Sequence, residues 1–173
     1  TSTGLGVKCT PNASYGALQV KAPSGVYTID LIGRTAGANS ESQITFWNSA
    51  QTTAKAYISS EIGNTLSLGT AGTQAVLIDA SQNLGLGVTP SAWNSAFTSV
   101  ELPYGVNLTA YKASANSQMY LNNNAYYGAS GWLYKNSGSA ASQYFMPYTG
   151  GHQWFTAPSG TAGNAITFTQ AMT

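Results

Sequence analysis

The stretch "NLGLGVTPSAW" (residues 83–93) places a glycine at every second position of a segment that otherwise has the pattern of a β-strand. Glycine in a strand interior costs conformational entropy and supplies no side chain for packing. Its repetition predicts that something approaches this backbone closely: a ligand phosphate, a bend in the chain, or another strand. Because side chains alternate across a strand, the three apolar residues of "LGLGV" are predicted to face one side, and Gly85 and Gly87 the other.

Part of this stretch recurs elsewhere in the chain. "GLGVKCTPNASYGAL" (4–18) matches "GLGVTPSAWNSAF" (85–97), apart from two extra residues before the Thr-Pro pair. A second element, "GTAG", stands at 69–72 and 160–163, each time before an apolar run with the pattern of a strand. Such internal self-similarity indicates repeated structural units.

The repeat predicts two tandem β modules. The first comprises residues 1–84 and begins with a Gly-rich neck strand, and the second comprises a neck and an aromatic-rich module over residues 85–173. A dinucleotide or phosphate loop is disfavoured, because Pro90 replaces the third glycine of the fingerprint and no βαβ pattern surrounds it. The recurrence favours close approach of protein to protein.

Period-two alternation and Gly/Asn/Ser punctuation predict an all-β fold of short strands, as in sandwiches, barrels or fibre modules. The predicted strands are 26–32, 43–48, 55–60, 65–68, 75–79, 106–111, 117–121, 131–134, 152–157 and 165–169. Only residues 89–97 could begin a short helix, with Thr89 as the N-cap and Pro90 at the first helical position.

The composition excludes several classes of partner. Charged residues make up 6% of the chain, against roughly 25% in typical soluble domains. The six cations are scattered singly, so no basic stripe could follow the phosphates of a nucleic acid. No apolar run is long enough to insert into a membrane, no signal peptide opens the chain, and the lone Cys9 excludes an internal disulfide framework.

The titratable residues do not predict an enzyme, a metal site or a cofactor. The single histidine, His152, cannot form a histidine-based zinc site within one chain. The carboxylates are isolated in sequence, whereas glycan hydrolysis needs a pair; they are Asp30, Glu41, Glu61, Asp79 and Glu101. The segment "DASQN" (79–83) is predicted to be a hydrogen-bonded turn rather than a calcium loop, because the bidentate acid is missing.

Aromatic rings among amides and small residues are the main chemical feature of the second unit. Tyr and Trp suit stacking against sugar rings, although such rings also form the core of a β module. The predicted core members are Trp132, Trp154 and Phe155. The predicted ligand-binding residues, in loop-like sequence, are Asn123, Tyr126, Tyr127, Tyr148 and His152.

Two segments, "LIDASQNLGLGVTPSAW" (77–93) and "GGHQWFTAPSGTAGNAITFTQAMT" (150–173), resemble parts of tailed-bacteriophage tail fibres and related receptor-binding tail proteins. Residues 1–68 carry the resemblance more weakly, and no chaperone domain of the kind that often ends such fibres is present in this sequence. The resemblance implies an elongated, intertwined homotrimer of β modules separated by narrow necks. Symmetric closure would also remove exposed strand edges. The neck is then assigned to Gly85, Leu86, Gly87 and Val88.

The resemblance implies a non-enzymatic protein of the virion, outside the cell, that attaches to a glycan or an outer-membrane receptor on a bacterium. Weak binding at each site would be multiplied by trimeric valency. Two alternatives stay open. One is a purely structural shaft segment with the receptor tip elsewhere, and the other is a polysaccharide depolymerase with carboxylates paired across a chain interface.

Overall fold

The structure, a computed structural model, describes residues 42–172 other than 49, 51, 62 and 114. The regular elements of this part of the chain are β-strands, apart from a short 3-10 helix at Pro103–Gly105. The strands are β1 Ser42–Trp47, β2 Ala54–Glu61, β3 Thr65–Thr70, β4 Thr73–Ile78, β5 Leu84–Leu86, β6 Phe97–Leu102, β7 Val106–Tyr111, β8 Gln118–Asn123, β9 Ala125–Gly128, β10 Gly131–Tyr134, β11 Ala141–Met146, β12 Gln153–Ala157 and β13 Thr169–Met172. The all-β prediction is confirmed. The predicted strand at 26–32 and the first "GLGV" copy lie outside the described residues.

Eleven of the strands form one sheet in chain order, from β1 to β8 and then β11 to β13. All neighbours are antiparallel except β5 and β6, which are parallel. The hairpin β9–β10 is a separate two-stranded sheet. Because β4, β5 and β6 are neighbours, one sheet continues across the predicted module boundary between residues 84 and 85.

One face of the large sheet, here called the outer face, carries a row of apolar side chains that continues from strand to strand. On β1 to β5 the row is Ile44, Ile58, Leu68, Val76 and Leu86. From β3 to β13 a second row is formed by Leu66, Ile78, Leu84, Val100, Leu108, Leu121, Tyr144, Trp154 and Met172. Most of these side chains are exposed.

The opposite face, here called the inner face, carries the buried side chains, many of them polar. On β3 the buried residues are Ser67 and Gly69, whereas Leu66 and Leu68 are exposed. Side chains on β3 therefore alternate between the two faces, but here the polar residue is buried and the two leucines are exposed. An exposed apolar set of this extent is uncommon on a monomeric soluble protein.

The hydrophobic core lies between the inner face and the segments that cover it. One cluster contains Trp93, Phe97 and Tyr120, with Tyr127 and Trp132 packed against it. A second cluster contains Ala125, Tyr134, Ala141 and Ala157, with Ile166 and Phe168 packed against it. The cover is therefore the β9–β10 hairpin, the β5–β6 loop and the segment before β13.

Tyr120 is a buried residue of the first core cluster. Burial raises the pKa of Tyr120 to about 12, and the nearby Tyr127 and Tyr111 hydroxyls add to the shift. The phenol donates a hydrogen bond to Gln118 Oε1 at 2.7 Å.

A ladder of amides and hydroxyls crosses the inner face between the two clusters. Asn107 is its centre: Nδ2 donates to the Ala125 carbonyl at 2.7 Å, and Oδ1 accepts from Asn122 Nδ2 at 2.7 Å. Oδ1 also accepts from the Thr109 hydroxyl at 2.8 Å. The Asn122 amide oxygen in turn accepts from Gln143 Nε2 at 2.9 Å. Because each buried polar group is paired, the ladder avoids the cost of an unsatisfied amide.

The two "GTAG" copies have different backbones but one shared contact. In the first copy, Ala71 and Gly72 both have positive φ, which a type I′ hairpin turn requires between β3 and β4. In the second, the chain turns at Gly163 and docks on the Tyr134 carbonyl. In both, the first glycine lies under a tyrosine ring, since an added Cβ would be 2.1 Å from Tyr57 and 2.3 Å from Tyr134 respectively.

Several local predictions are wrong. Residues 89–97 do not begin a helix but form an irregular loop that ends at the start of β6. The predicted strand at 165–169 is reduced to an isolated bridge at Ala165, and the true strand β13 begins at Thr169. Strands β6, β9 and β11 were not predicted, because their sequences, "FTSVEL", "AYYG" and "ASQYFM", do not alternate strictly between apolar and polar residues.

Candidate functional site

The backbone at Gly85 lies so close to a neighbouring part of the same chain that a side chain there would clash. A Cβ on Gly85 would lie 1.9 Å from the Val88 carbonyl oxygen and 3.0 Å from Pro90 Cδ. Gly87 has φ +68, and an added Cβ there would meet only Pro103, at 3.8 Å. The close approach predicted at Gly85 therefore occurs within one chain, at a turn, and Gly87 is needed for its backbone conformation. A role for Gly85, Leu86, Gly87 and Val88 as a neck between chains stays a prediction.

Hydrogen bonds to a buried carboxylate, that of Glu101, hold the β5–β6 loop in place. Glu101 on β6 is 0% exposed, and its Oε2 accepts from the Ser91 backbone N–H at 2.8 Å and from the Trp93 indole at 3.0 Å. Oε1 accepts from the Ser91 hydroxyl at 2.9 Å and lies 3.1 Å from Lys135 Nζ. These contacts explain why the Thr-Pro segment does not become a helix: Ser91 and Trp93 both turn toward Glu101.

Two acids, Asp79 and Glu101, have structural roles. Glu101 is sealed from solvent and has a partner for each oxygen. Asp79 accepts from the backbone N–H groups of Ser81 and Asn83 at 2.9 and 2.8 Å, so the predicted hydrogen-bonded turn at "DASQN" is confirmed. In the part of the chain that the structure describes, no three His, Cys, Asp or Glu residues are grouped to hold a metal ion.

Two of the predicted ligand residues belong to the core side of the molecule. Tyr126 and Tyr127 on β9 are half-buried against the Trp93–Phe97–Tyr120 cluster. Tyr127 stacks on Phe97 with ring centroids 4.6 Å apart. Tyr126 and Trp93 pack in a T-shaped arrangement with ring centroids 6.1 Å apart. The prediction that these two rings are exposed is wrong, because the β9–β10 hairpin folds back over the inner face.

The other three predicted residues are exposed, but they do not lie together. Asn123 ends β8, His152 precedes β12, and Tyr148 is 56% exposed in the β11–β12 loop. Asn123 lines a concavity of about 410 Å³, and Tyr148 lines a separate one of about 410 Å³ with Gln118, Met119 and Met146. Asn123 pairs with Ser142 at the start of β11, whereas the β11–β12 loop follows Met146 at the end of that strand. The structure therefore places Asn123 at the opposite end of the strands from Tyr148 and His152.

The concavity beside Asn123 contains two aromatic rings that were not predicted to bind a ligand. Trp154, which was predicted to be a core residue, is instead 44% exposed on the outer face. Its ring lies 4.3 Å from that of Tyr144 at an interplanar angle of 30°. The Tyr144 ring also stacks on His152, and its hydroxyl is hydrogen-bonded to His152 Nδ1. Leu121, Ser142 and Thr156 complete the outer-face lining.

Strand parity was the signal that could have identified Trp154. Trp154 and His152 are two residues apart in a predicted strand, so they share a face. An exposed His152 therefore implied an exposed Trp154. Which face of β12 is covered depends on the distant β9–β10 hairpin, and no local pattern shows that.

Comparisons with protein-family models, with curated proteins and with solved structures find no match for the chain. A search of the described residues for helices finds none with the length and apolar character needed to cross a bilayer.

Proposed function

We propose that this chain is a fragment of a tailed-bacteriophage tail fibre that attaches the virion, without catalysis, to a glycan on a bacterial surface. The observation that carries the proposal is the outer-face concavity that Tyr144, Trp154 and Asn123 line. Exposed aromatic rings beside amides and hydroxyls fit the alternation of apolar and polar surface on a sugar. The resemblance of residues 77–93 and 150–173 to tail-fibre segments supports the same reading.

The outer face supports self-association as a homotrimer. Its apolar rows cross all eleven strands, and on β1 to β5 they are aliphatic and largely exposed. At about 25 cal/mol per Å² of apolar surface removed from water, covering such a face stabilises an assembly strongly. A second copy of the same face is the simplest cover of matching chemistry, and three-fold closure leaves no copy with an open face.

A structural shaft segment is the second candidate function. The continuity of the apolar rows from β1 to β13 favours it, because a face used for assembly along its full width would leave no part for a receptor. The two candidates differ in one respect. A shaft segment assembles but binds no bacterial polysaccharide.

The attachment function is tested with the purified chain labelled with a fluorophore. We expect it to bind cells of at least one strain in a panel of bacteria and to be displaced by polysaccharide extracted from that strain. Heat-denatured chain is the control, since it keeps the composition but not the concavity. If the chain folds as a trimer but binds none of the strains, the shaft segment is favoured.

The trimer is tested by a mass measurement in solution. We expect three times the chain mass of 18.0 kDa. Leu68→Asp, on the outer face of β3, is expected to shift the population to the single-chain mass because a charge cannot be buried without a partner. Ser130→Asp, in the exposed β9–β10 turn, is the matched control and is expected to keep the assembly. A wild-type mass near 18.0 kDa would contradict the trimer.

A further inference from the structure

We propose that the Tyr144–Trp154 pair is the platform of a subsite for an uncharged pyranose, with Asn123, Ser142 and Thr156 binding the sugar hydroxyls. This inference rests on the proposed attachment to a glycan and names the residues and the class of sugar. It replaces Tyr126 and Tyr127, whose rings are packed in the core.

Two parallel rows on the outer face make the site amphipathic. The first row is Leu121, Tyr144 and Trp154, which are direct cross-strand partners on β8, β11 and β12. The second is Asn123, Ser142 and Thr156, also direct partners, two residues further along each strand. Two residues correspond to about 6.6 Å along a strand. A ring lying on the aromatic row therefore has amide and hydroxyl groups along one edge.

The polar row is available for a ligand. Asn123, Ser142 and Thr156 are all exposed. Neighbouring strands are about 4.8 Å apart, so the three groups span about 10 Å. An array of this kind matches a ligand with several neutral hydroxyls in succession better than one with a single polar group.

The aromatic row is held in place before a ligand arrives. The Tyr144 ring lies between His152, at a centroid distance of 5.7 Å, and Trp154, at 4.3 Å. The hydrogen bond between the Tyr144 hydroxyl and His152 Nδ1 fixes the ring at its far end. A side chain that is already ordered loses less conformational entropy on binding. His152 is thus a positioning residue for Tyr144.

The lining predicts an uncharged sugar. Among the described residues that line the concavity, none is Asp, Glu, Lys or Arg. A uronate or sialate carboxylate would lose hydration there without gaining an ionic partner, which is unfavourable. A neutral pyranose loses only hydroxyl hydration, and the polar row can replace it.

The location of the site is compatible with the proposed trimer. The first apolar row of the outer face is aliphatic on β1 to β5, where Ile58 and Leu68 are neighbours. The second row stays aliphatic as far as Leu121 on β8. The aromatic pair lies on β11 and β12, six and seven strand positions from β3 in the sheet order. Along these rows the outer face therefore changes from aliphatic on β1 to β8 to aromatic on β11 and β12, where the neighbouring row carries hydroxyls. The aliphatic part suits assembly, and the aromatic part suits a sugar.

The test is a titration of the whole chain with methyl glycosides of glucose, galactose, N-acetylglucosamine and rhamnose, measured by isothermal titration calorimetry, which does not need Trp154 as a reporter. We expect at least one neutral glycoside to bind, and glucuronate and N-acetylneuraminate to bind at least about tenfold more weakly. Trp154→Ala is expected to weaken binding about tenfold or more, and Trp154→Phe to recover most of it, because the phenyl ring keeps a stacking face. Asn123→Ala is expected to weaken binding by a smaller factor.

Trp47→Ala is the matched control, because Trp47 is also an exposed tryptophan and lies on the strand at the opposite end of the sheet order. It is expected to bind like the wild type. If the chain binds cells and polysaccharide but Trp154→Ala binds as tightly as Trp47→Ala, the subsite is overturned and the attachment function stands. Preference for a charged sugar would overturn the assignment of an uncharged ligand. If neither cells nor any saccharide binds, both proposals fail.

Discussion

Replacement of Glu101 by alanine is expected to lower the free energy of unfolding by about 3–5 kcal/mol, the usual cost of breaking a buried ion pair by removing one partner. The carboxylate is 0% exposed and joins three parts of the chain: β6, the β5–β6 loop and Lys135 after β10. Its removal leaves the Ser91 N–H and the Trp93 indole without acceptors in the protein interior. It also opens a cavity beneath the loop.

Chemical or thermal unfolding of Glu101→Ala, Glu101→Gln and Lys135→Met measures this effect. Glu101→Gln is expected to cost less than alanine, since the amide keeps one acceptor oxygen and the volume. Lys135→Met is expected to cost less than Glu101→Ala, because the Lys135 side chain is 26% exposed and its loss leaves Glu101 with three donors. Lys55→Met, at an exposed cation on β2, is the control. A change below about 1 kcal/mol for Glu101→Ala would contradict the bracing role.

Gly85→Ala is expected to prevent folding or to cost more than about 4 kcal/mol, a loss reserved for severe steric or burial defects. The new Cβ would be 1.9 Å from the Val88 carbonyl oxygen, and a backbone atom cannot move aside as a flexible side chain can. Gly87→Ala is expected to cost only about 1–2 kcal/mol, the penalty of a left-handed backbone for a residue with a Cβ. Circular dichroism and thermal unfolding of the two variants measure the difference.

The pair also separates two explanations of the glycine pattern. If Gly85 serves a contact within the chain, Gly85→Ala is unfolded or unstable at every protein concentration. If the glycines serve only a neck between chains, both variants fold as single chains and lose assembly to a similar degree. The intramolecular clash predicts the first result.

Much of the fold could be predicted from local sequence because strands alternate with period two. Strands β7 and β10 were predicted with the bounds that the structure has, and β1 to β4, β8 and β12 to within a few residues. The turn at Asp79 was also predicted, because its hydrogen bonds join residues at most four apart. Such features depend on neighbours in the chain and need no distant partner.

The candidate site could be predicted only in part. Asn123 and His152 were predicted to bind a ligand from the composition of their segments. Trp154 was wrongly predicted to be a core residue, although it is exposed and lines the concavity. Alternation shows which side chains share a face, but not which face is covered. Here the β9–β10 hairpin covers the polar face, so the tyrosines of β9 are packed inward and Trp154 is left outward.

The sequence by itself determined that this protein is all-β and nearly uncharged, with glycines at its turns. Tertiary structure alone decided the burial of Glu101, the partner of Gly85 and the exposure of Trp154. The reason is physical: dihedral preferences and strand alternation act over a few residues, whereas burial depends on which distant segment lies on each face of the sheet. The glycine pattern at 85 and 87 illustrates the difference. The sequence predicts a close approach to this backbone, but only the fold shows that the group approaching Gly85 is the Val88 carbonyl.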